Sequence, residues 1–88
     1  MTEVVLYGRA GCCLCDDARE VLERVRARAG DELEFDLREC DIESDERLLR
    51  AYLERIPVVT IDGREEFELF VDEAALRSRL GLSRVTGR

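Results

Sequence analysis

Three of this chain's four cysteines fall within four positions, in "GCCLCDDA" at residues 11 to 18, and Cys40 stands alone further on. There is no His, so Cys–His catalytic pairs, imidazole acid–base chemistry and histidine metal ligands are excluded. Thiols so arranged can exchange disulfides, bind a metal or cluster, or simply pack. Residues three apart lie on the same side of a helical turn, whereas Cys13 points about 100° away from Cys12. Two sulfurs at that spacing can reach the ~2 Å bond with their α-carbons inside the usual window. A vicinal Cys12–Cys13 bond would strain the peptide between them. Geometry pairs Cys12 with Cys15.

The alternatives make different demands. A structural zinc site needs four ligands, and without His it would have to take Cys12, Cys13, Cys15 and Cys40 together. One C-C-x-C run at a single helix start does not wrap a tetrahedral ion. An iron–sulfur cluster, held by one chain or shared between two, is a second alternative, and cysteines that only pack are a third. Cys13 is a bystander or a backup thiol. Cys40 is expected in the core, where free cysteines most often lie.

The pair needs a strand to deliver it and a helix to hold it. Val4 to Tyr7 is short, apolar and stopped by Gly8 and Gly11, which reads as a buried strand. Leu14, Ala18, Val21, Leu22, Val25 and Ala29 then recur at helical spacing, with Arg19, Glu20, Glu23, Arg24 and Arg26 opposite and Gly30 as the stop. The cysteines therefore sit at a helix N-terminus, where unpaired N–H groups and the helix dipole favour a thiolate. Cys12, nearer the tip, is expected to be the exposed nucleophile. Cys15, one turn in, is expected to be the more buried thiol that resolves a mixed disulfide. Arg9 adds positive charge nearby, and Asp16 and Asp17 oppose it.

The rest of the chain supplies a frame. "LEFDL", residues 33 to 37, alternates as a strand with one wet face. Ser44 is the expected cap of a second helix, with Asp45 and Glu46 in its first turn and Leu48, Leu49, Tyr52 and Leu53 as its apolar stripe. "IPVVTIDGREEFELF" reads as two strands turning at Asp62-Gly63. Asp72 caps a last helix carrying Ala75, Leu76 and Leu80, closed by Gly81, and residues 82–88 read as a tail. The order β-α-β-α-β-β-α predicts an α/β fold with a four-stranded mixed sheet and helices on both faces, in one domain over residues 1–81.

Bulk properties narrow the partners. The net charge of −7 argues against nucleic acid, which needs a positive face. No apolar run approaches the ~20 residues of a membrane-spanning helix. The N-terminus lacks a basic region followed by an apolar stretch, so a reducing cytoplasm is the expected compartment. A monomer is expected. A chain this short buries only roughly 60–65% of its unfolded surface, so its stability margin should be thin.

"LYGRAGCCLC", "RIPVV" and "IDG" together resemble the glutaredoxin family of the thioredoxin fold, over residues 4 to about 80. C-x-x-C in a β-α-β context is moderately specific, and the later Pro strengthens it. The resemblance implies a thiol–disulfide oxidoreductase acting on protein disulfides or mixed disulfides. Cys12 and Cys15 would be its catalytic residues, with no organic cofactor and no metal. Glutathione or a thioredoxin-reductase-type donor would re-reduce it. It also implies a cis Pro57 facing Cys12, an Ile56 backbone that pairs with substrate, and an Arg9 that meets a substrate carboxylate. The alternative from another class is a thioredoxin-fold binding module that carries a cluster or metal, or docks partners without turnover. Three departures bear on glutathione. Cys13-Leu14 replaces the usual Pro-Tyr, Arg55-Ile56-Pro57 replaces Thr-Val-Pro, and no Gly-Gly pair follows Gly63. Dithiol chemistry carries over; glutathione specificity does not.

Overall fold

A computed structural model describes residues 2–29 and 35–81. Strand β1 (Thr2–Gly8) leads into helix α1 (Cys13–Ala29), then β2 (Phe35–Asp41), a 3-10 turn (Ile42–Ser44), α2 (Glu46–Tyr52), β3 (Val58–Ile61), β4 (Arg64–Glu68) and α3 (Glu73–Arg79). The sheet order is β2-β1-β3-β4. β1 pairs with β2 in parallel, while β3 is antiparallel to both β1 and β4. This is the mixed four-stranded α/β architecture that the element order predicts.

Helix α1 forms where its apolar spacing requires. Ala18, Leu22, Val25 and Ala29 are all buried on one face. Leu14, assigned to that stripe from its spacing, is instead half exposed: the buried face begins at Cys15, and Leu14 falls beside it. Gly30, the expected stop, and Leu33 and Glu34 of the second strand lie outside the described residues. β2 continues to Asp41 rather than ending near Leu37. Its parallel ladder with β1 carries the polar "RECD" along, so backbone pairing, not hydrophobicity, sets its length.

Ser44 does not cap α2. Its hydroxyl donates to the Asp41 carbonyl at 2.6 Å and closes the 3-10 turn, and the cap falls to Asp45, whose carboxylate accepts the Arg47 N–H at 2.8 Å. Leu53 is exposed, and α2 contributes no fully buried residue. The hairpin turns at Asp62 (φ 52°) and Gly63 (φ 87°), the two left-handed positions of a type I′ turn. Asp72 caps α3 by accepting the Ala75 N–H at 2.9 Å, and Gly81 closes it at φ 83°.

Two cores result. The larger joins Val4, Leu6, Val59 and Ile61 of the sheet to Leu22 and Val25 of α1 and Leu76 of α3. The smaller lies at the α2 end around Ile42, Ile56, Tyr7 and Tyr52. Helices α1 and α3 thus cover one face and α2 the other. No helix of the described residues is long and apolar enough to cross a membrane. Leu22 is fully buried and Leu53 is 42% exposed, and the two should respond differently to truncation. Leu22→Ala is expected to cost about 2–5 kcal/mol, and Leu53→Ala within about 0.5 kcal/mol. Urea midpoints of the two variants check this.

Candidate functional site

Beyond Gly8 the chain turns through Gly11, held at φ 82°, and drops Cys12 at the start of α1. The Cys12 carbonyl accepts the Asp16 N–H at 3.1 Å, the first bond of the helical ladder. Its Sγ accepts the Cys15 N–H at 3.1 Å. Sulfur therefore occupies the capping position usually filled by a side-chain oxygen. Cys12 and Cys15 are disulfide-bonded, with α-carbons 5.1 Å apart. Cys15 is 1% exposed, whereas Cys12 is half-buried and reaches solvent. The Cys15 N–H and the helix N-terminus would both favour a thiolate on Cys12 once the bond opens.

The pair packs against Ile42, Ile56, Tyr7 and Tyr52. The Ile56–Pro57 bond is cis and the Pro57 ring is fully buried. The Ile56 N–H donates to the Tyr52 carbonyl at 3.0 Å, so only its carbonyl is left to face an added chain. The loop after β4 crosses the proline: the Leu69 N–H donates to the Pro57 carbonyl at 2.8 Å and the Arg55 carbonyl at 3.1 Å. Leu69 takes φ 69°, a region where a branched side chain is strained and glycine is not. Phe70 beside it is 69% exposed.

A polar network fastens this loop from the far side. Arg55 bridges Glu65 and Glu68 of β4 and stacks over the Tyr52 ring at 5.3 Å. The Tyr52 hydroxyl donates to Glu65, and the Tyr52 ring lies 5.0 Å from that of Tyr7. The Arg55 hydrogen bond, then the Tyr52 hydroxyl, hold the Glu65 carboxyl below the usual carboxylate range. Burial, then Glu65, pushes Tyr52 up.

Not every predicted site residue joins the pair. Arg9 is engaged by Glu43 and lies on the β2 side, lining a cavity of about 230 Å³ with Gly8, Cys15, Arg19, Glu39 and Asp41. Cys40 is half-buried rather than part of the core. Its register partner is Tyr7, so its side chain shares the α2 face. Its neighbour Glu39, on the opposite face, bonds Arg19 of α1 at 2.8 Å. Cys13 is exposed. Among the described residues, no three His, Cys, Asp or Glu side chains are grouped to hold a metal ion.

The glutaredoxin-like domain family DUF836 matches residues 3–81. The chain belongs to that family. An uncharacterized protein of Mycobacterium tuberculosis is 35% identical to this glutaredoxin-like chain over 86 residues, covering 92% of it and 84% of the relative. A solution structure of a protein from Nitrosomonas europaea superposes with a TM-score of 0.75 at 28% identity, over 91% of this chain and 92% of that one. An X-ray structure of a protein from X. campestris gives 0.68 at 37% identity, over 88% and 93%. A mutant thioredoxin from Halobacterium salinarum gives 0.63 at 19% identity, over 90% and 71%, which shows the thioredoxin fold.

Sequence reasoning passed over Gly8, read as a strand stop although its α-carbon faces Cys15. It also passed over Tyr7 and Leu69. The aromatic Tyr7 beside the strand end was a visible signal; Leu69 carried none, since nothing local marks a left-handed leucine. The Glu65 shift sets a pH dependence. A carboxyl with a depressed folded pKa contributes stability above its unfolded pKa and loses it as pH falls through the folded one. Below the usual carboxylate range, the wild-type urea midpoint should therefore fall more steeply than that of Glu65→Gln. Parallel acid limbs would show that the contact contributes nothing.

Proposed function

We propose that this glutaredoxin-like domain is a dithiol thiol–disulfide oxidoreductase of a reducing cytoplasm, acting as a monomer on protein disulfides or mixed disulfides. The observation that carries the reading is a half-buried Cys12 at the α1 N-terminus, disulfide-bonded to a fully buried Cys15. In the reduced form the Cys12 thiolate attacks a substrate disulfide, a mixed disulfide forms, and one substrate thiol leaves with a proton. Cys15 then loses its proton and attacks the Cys12 sulfur, which releases the second substrate thiol and closes Cys12–Cys15. Two electrons pass to the substrate. Glutathione or a reductase returns them, and no organic cofactor takes part.

Substrate docks beside Pro57 through the Ile56 carbonyl. Arg9 meets a substrate carboxylate by exchanging its Glu43 partner for it. The loop at Leu69 and Phe70 supports a preference for protein disulfides over glutathione. These two apolar side chains stand where the chain crosses Pro57, and a tripeptide needs close backbone approach there.

Two measurements test the reading. Cys15→Ser should accumulate a mixed disulfide at Cys12 when mixed with a disulfide-bonded protein, and Cys12→Ser should lose disulfide reduction. Full activity in Cys12→Ser removes the assigned nucleophile. Replacing Leu69 and Phe70 by Gly should raise turnover of a glutathione mixed disulfide relative to a protein disulfide by roughly fivefold, the equivalent of one hydrogen bond of about 1 kcal/mol. An unchanged ratio would show that these side chains do not set the preference.

A further inference from the structure

Gly8 ends the central strand and is buried. The described glycines with positive φ are Gly11, Gly63 and Gly81, so backbone conformation gives no reason for glycine at position 8. Space supplies the reason. A Cβ built on Gly8 would stand 2.9 Å from the Cys15 Sγ and 3.2 Å from the Cys15 Cβ. Ordinary contacts between such atoms begin at about 3.5 Å. At Gly11 and Gly63 the same Cβ would meet nothing within 4 Å.

We propose that Gly8 is a positioning residue for Cys15: its bare α-carbon is the floor on which the resolving sulfur rests, and it sets where that sulfur stands relative to Cys12. The inference deepens the dithiol reading above and rests on it for its functional meaning. In the disulfide, the Cys15 sulfur is held between Cys12 on one side and Gly8 on the other. It cannot turn away from an added methyl without moving the bond to Cys12, whose geometry is narrow. In the dithiol that tether is gone, and the Cys15 side chain can rotate clear. A methyl at position 8 therefore burdens the disulfide more than the dithiol. The same crowding slows the attack of Cys15 on a mixed disulfide at Cys12, because the attacking sulfur no longer rests in line with its target.

The couple is read against glutathione. Two glutathione thiols give two electrons and two protons to the Cys12–Cys15 disulfide, which becomes two thiols as glutathione disulfide forms. Wild type and Gly8→Ala are equilibrated in glutathione buffers, quenched with a thiol-alkylating reagent and weighed by mass spectrometry. Gly8→Ala should shift the equilibrium at least tenfold toward the dithiol, about 30 mV for this two-electron couple. Its mixed disulfide should also resolve more slowly. An equilibrium that is unchanged, or displaced toward the disulfide, overturns the proposal, because a merely structural glycine would destabilise both redox forms alike.

Gly8→Ala could fail to fold, and the Cys15→Ala background covers that case. There the sulfur is gone, and the remaining 3.2 Å approach needs a shift of only a few tenths of an ångström. If Gly8→Ala then folds as Cys15→Ala does alone, the crowding runs through the sulfur. If it unfolds that background too, the proposal is wrong. A wild-type protein with a measurable Cys12–Cys15 couple but no turnover of any disulfide would sink the oxidoreductase reading alone. An active wild type with an unshifted Gly8→Ala would sink this inference alone.

Discussion

β1 has a hydrogen-bonded neighbour on each edge and a helix over each face, and the alternation of its side chains governs what both faces can build. Val4 and Leu6 point into the α1–α3 core, and Gly8 continues that face to the strand's end. Tyr7 points the other way, to Tyr52 of α2. A slip of one residue would exchange the two sets. Register at β1 thus decides at once where the large core lies, what stands beneath Cys15 and what packs beside Cys12. The parallel ladder to β2 transmits the same parity, placing Glu39 against Arg19 of α1 and Cys40 on the opposite side.

The two faces do unequal work. Most of the fully buried aliphatic side chains belong to the α1–α3 side, and that face carries the hydrophobic stabilisation of the domain. The α2 side buries little, and its helix contributes half-buried Leu48, Leu49 and Tyr52 only. What fixes the segment around Pro57 there is polar. The Ile56 N–H is bonded to the end of α2, the Leu69 N–H holds the Pro57 carbonyl, and Arg55 ties the same segment to β4. Exposed ion pairs contribute little singly, but these share one arginine and one glutamate with a tyrosine hydroxyl. Together they define the path of the loop more than they stabilise the fold.

Features settled by neighbouring residues were legible in the sequence. The spacing of Ala18, Leu22, Val25 and Ala29, the Asp62-Gly63 turn and the Asp72 cap each need only a few consecutive positions. Features settled across the sheet were not. The length of β2 depends on its ladder with β1, and the Ser44 hydroxyl was diverted by the Asp41 carbonyl. Arg9 shows the same limit: its ion pair with Glu43 comes from another element and could not be read from its place before Cys12. The cysteine pair was readable because helix phase is local. The cis Pro57 came through family resemblance, since nothing in the residues around it specifies the isomer.

The residues between the paired cysteines mark a division between what the fold constrains and what it leaves free. Cys13 and Leu14 are both exposed, and neither belongs to the hydrophobic cluster around the pair. The contacts that hold the pair come instead from the backbone: the Cys15 N–H to the Cys12 sulfur, and the Asp16 N–H to the Cys12 carbonyl. A donor that belongs to the main chain is kept whatever side chains occupy positions 13 and 14. It is in place while the disulfide is closed, so on the dithiol reading a negative charge forming on Cys12 would need no rearrangement to be met. Departure from the usual Pro-Tyr pair therefore alters the exposed surface of the helix start, while the geometry of the paired sulfurs stays with the helix end and the strand beneath it.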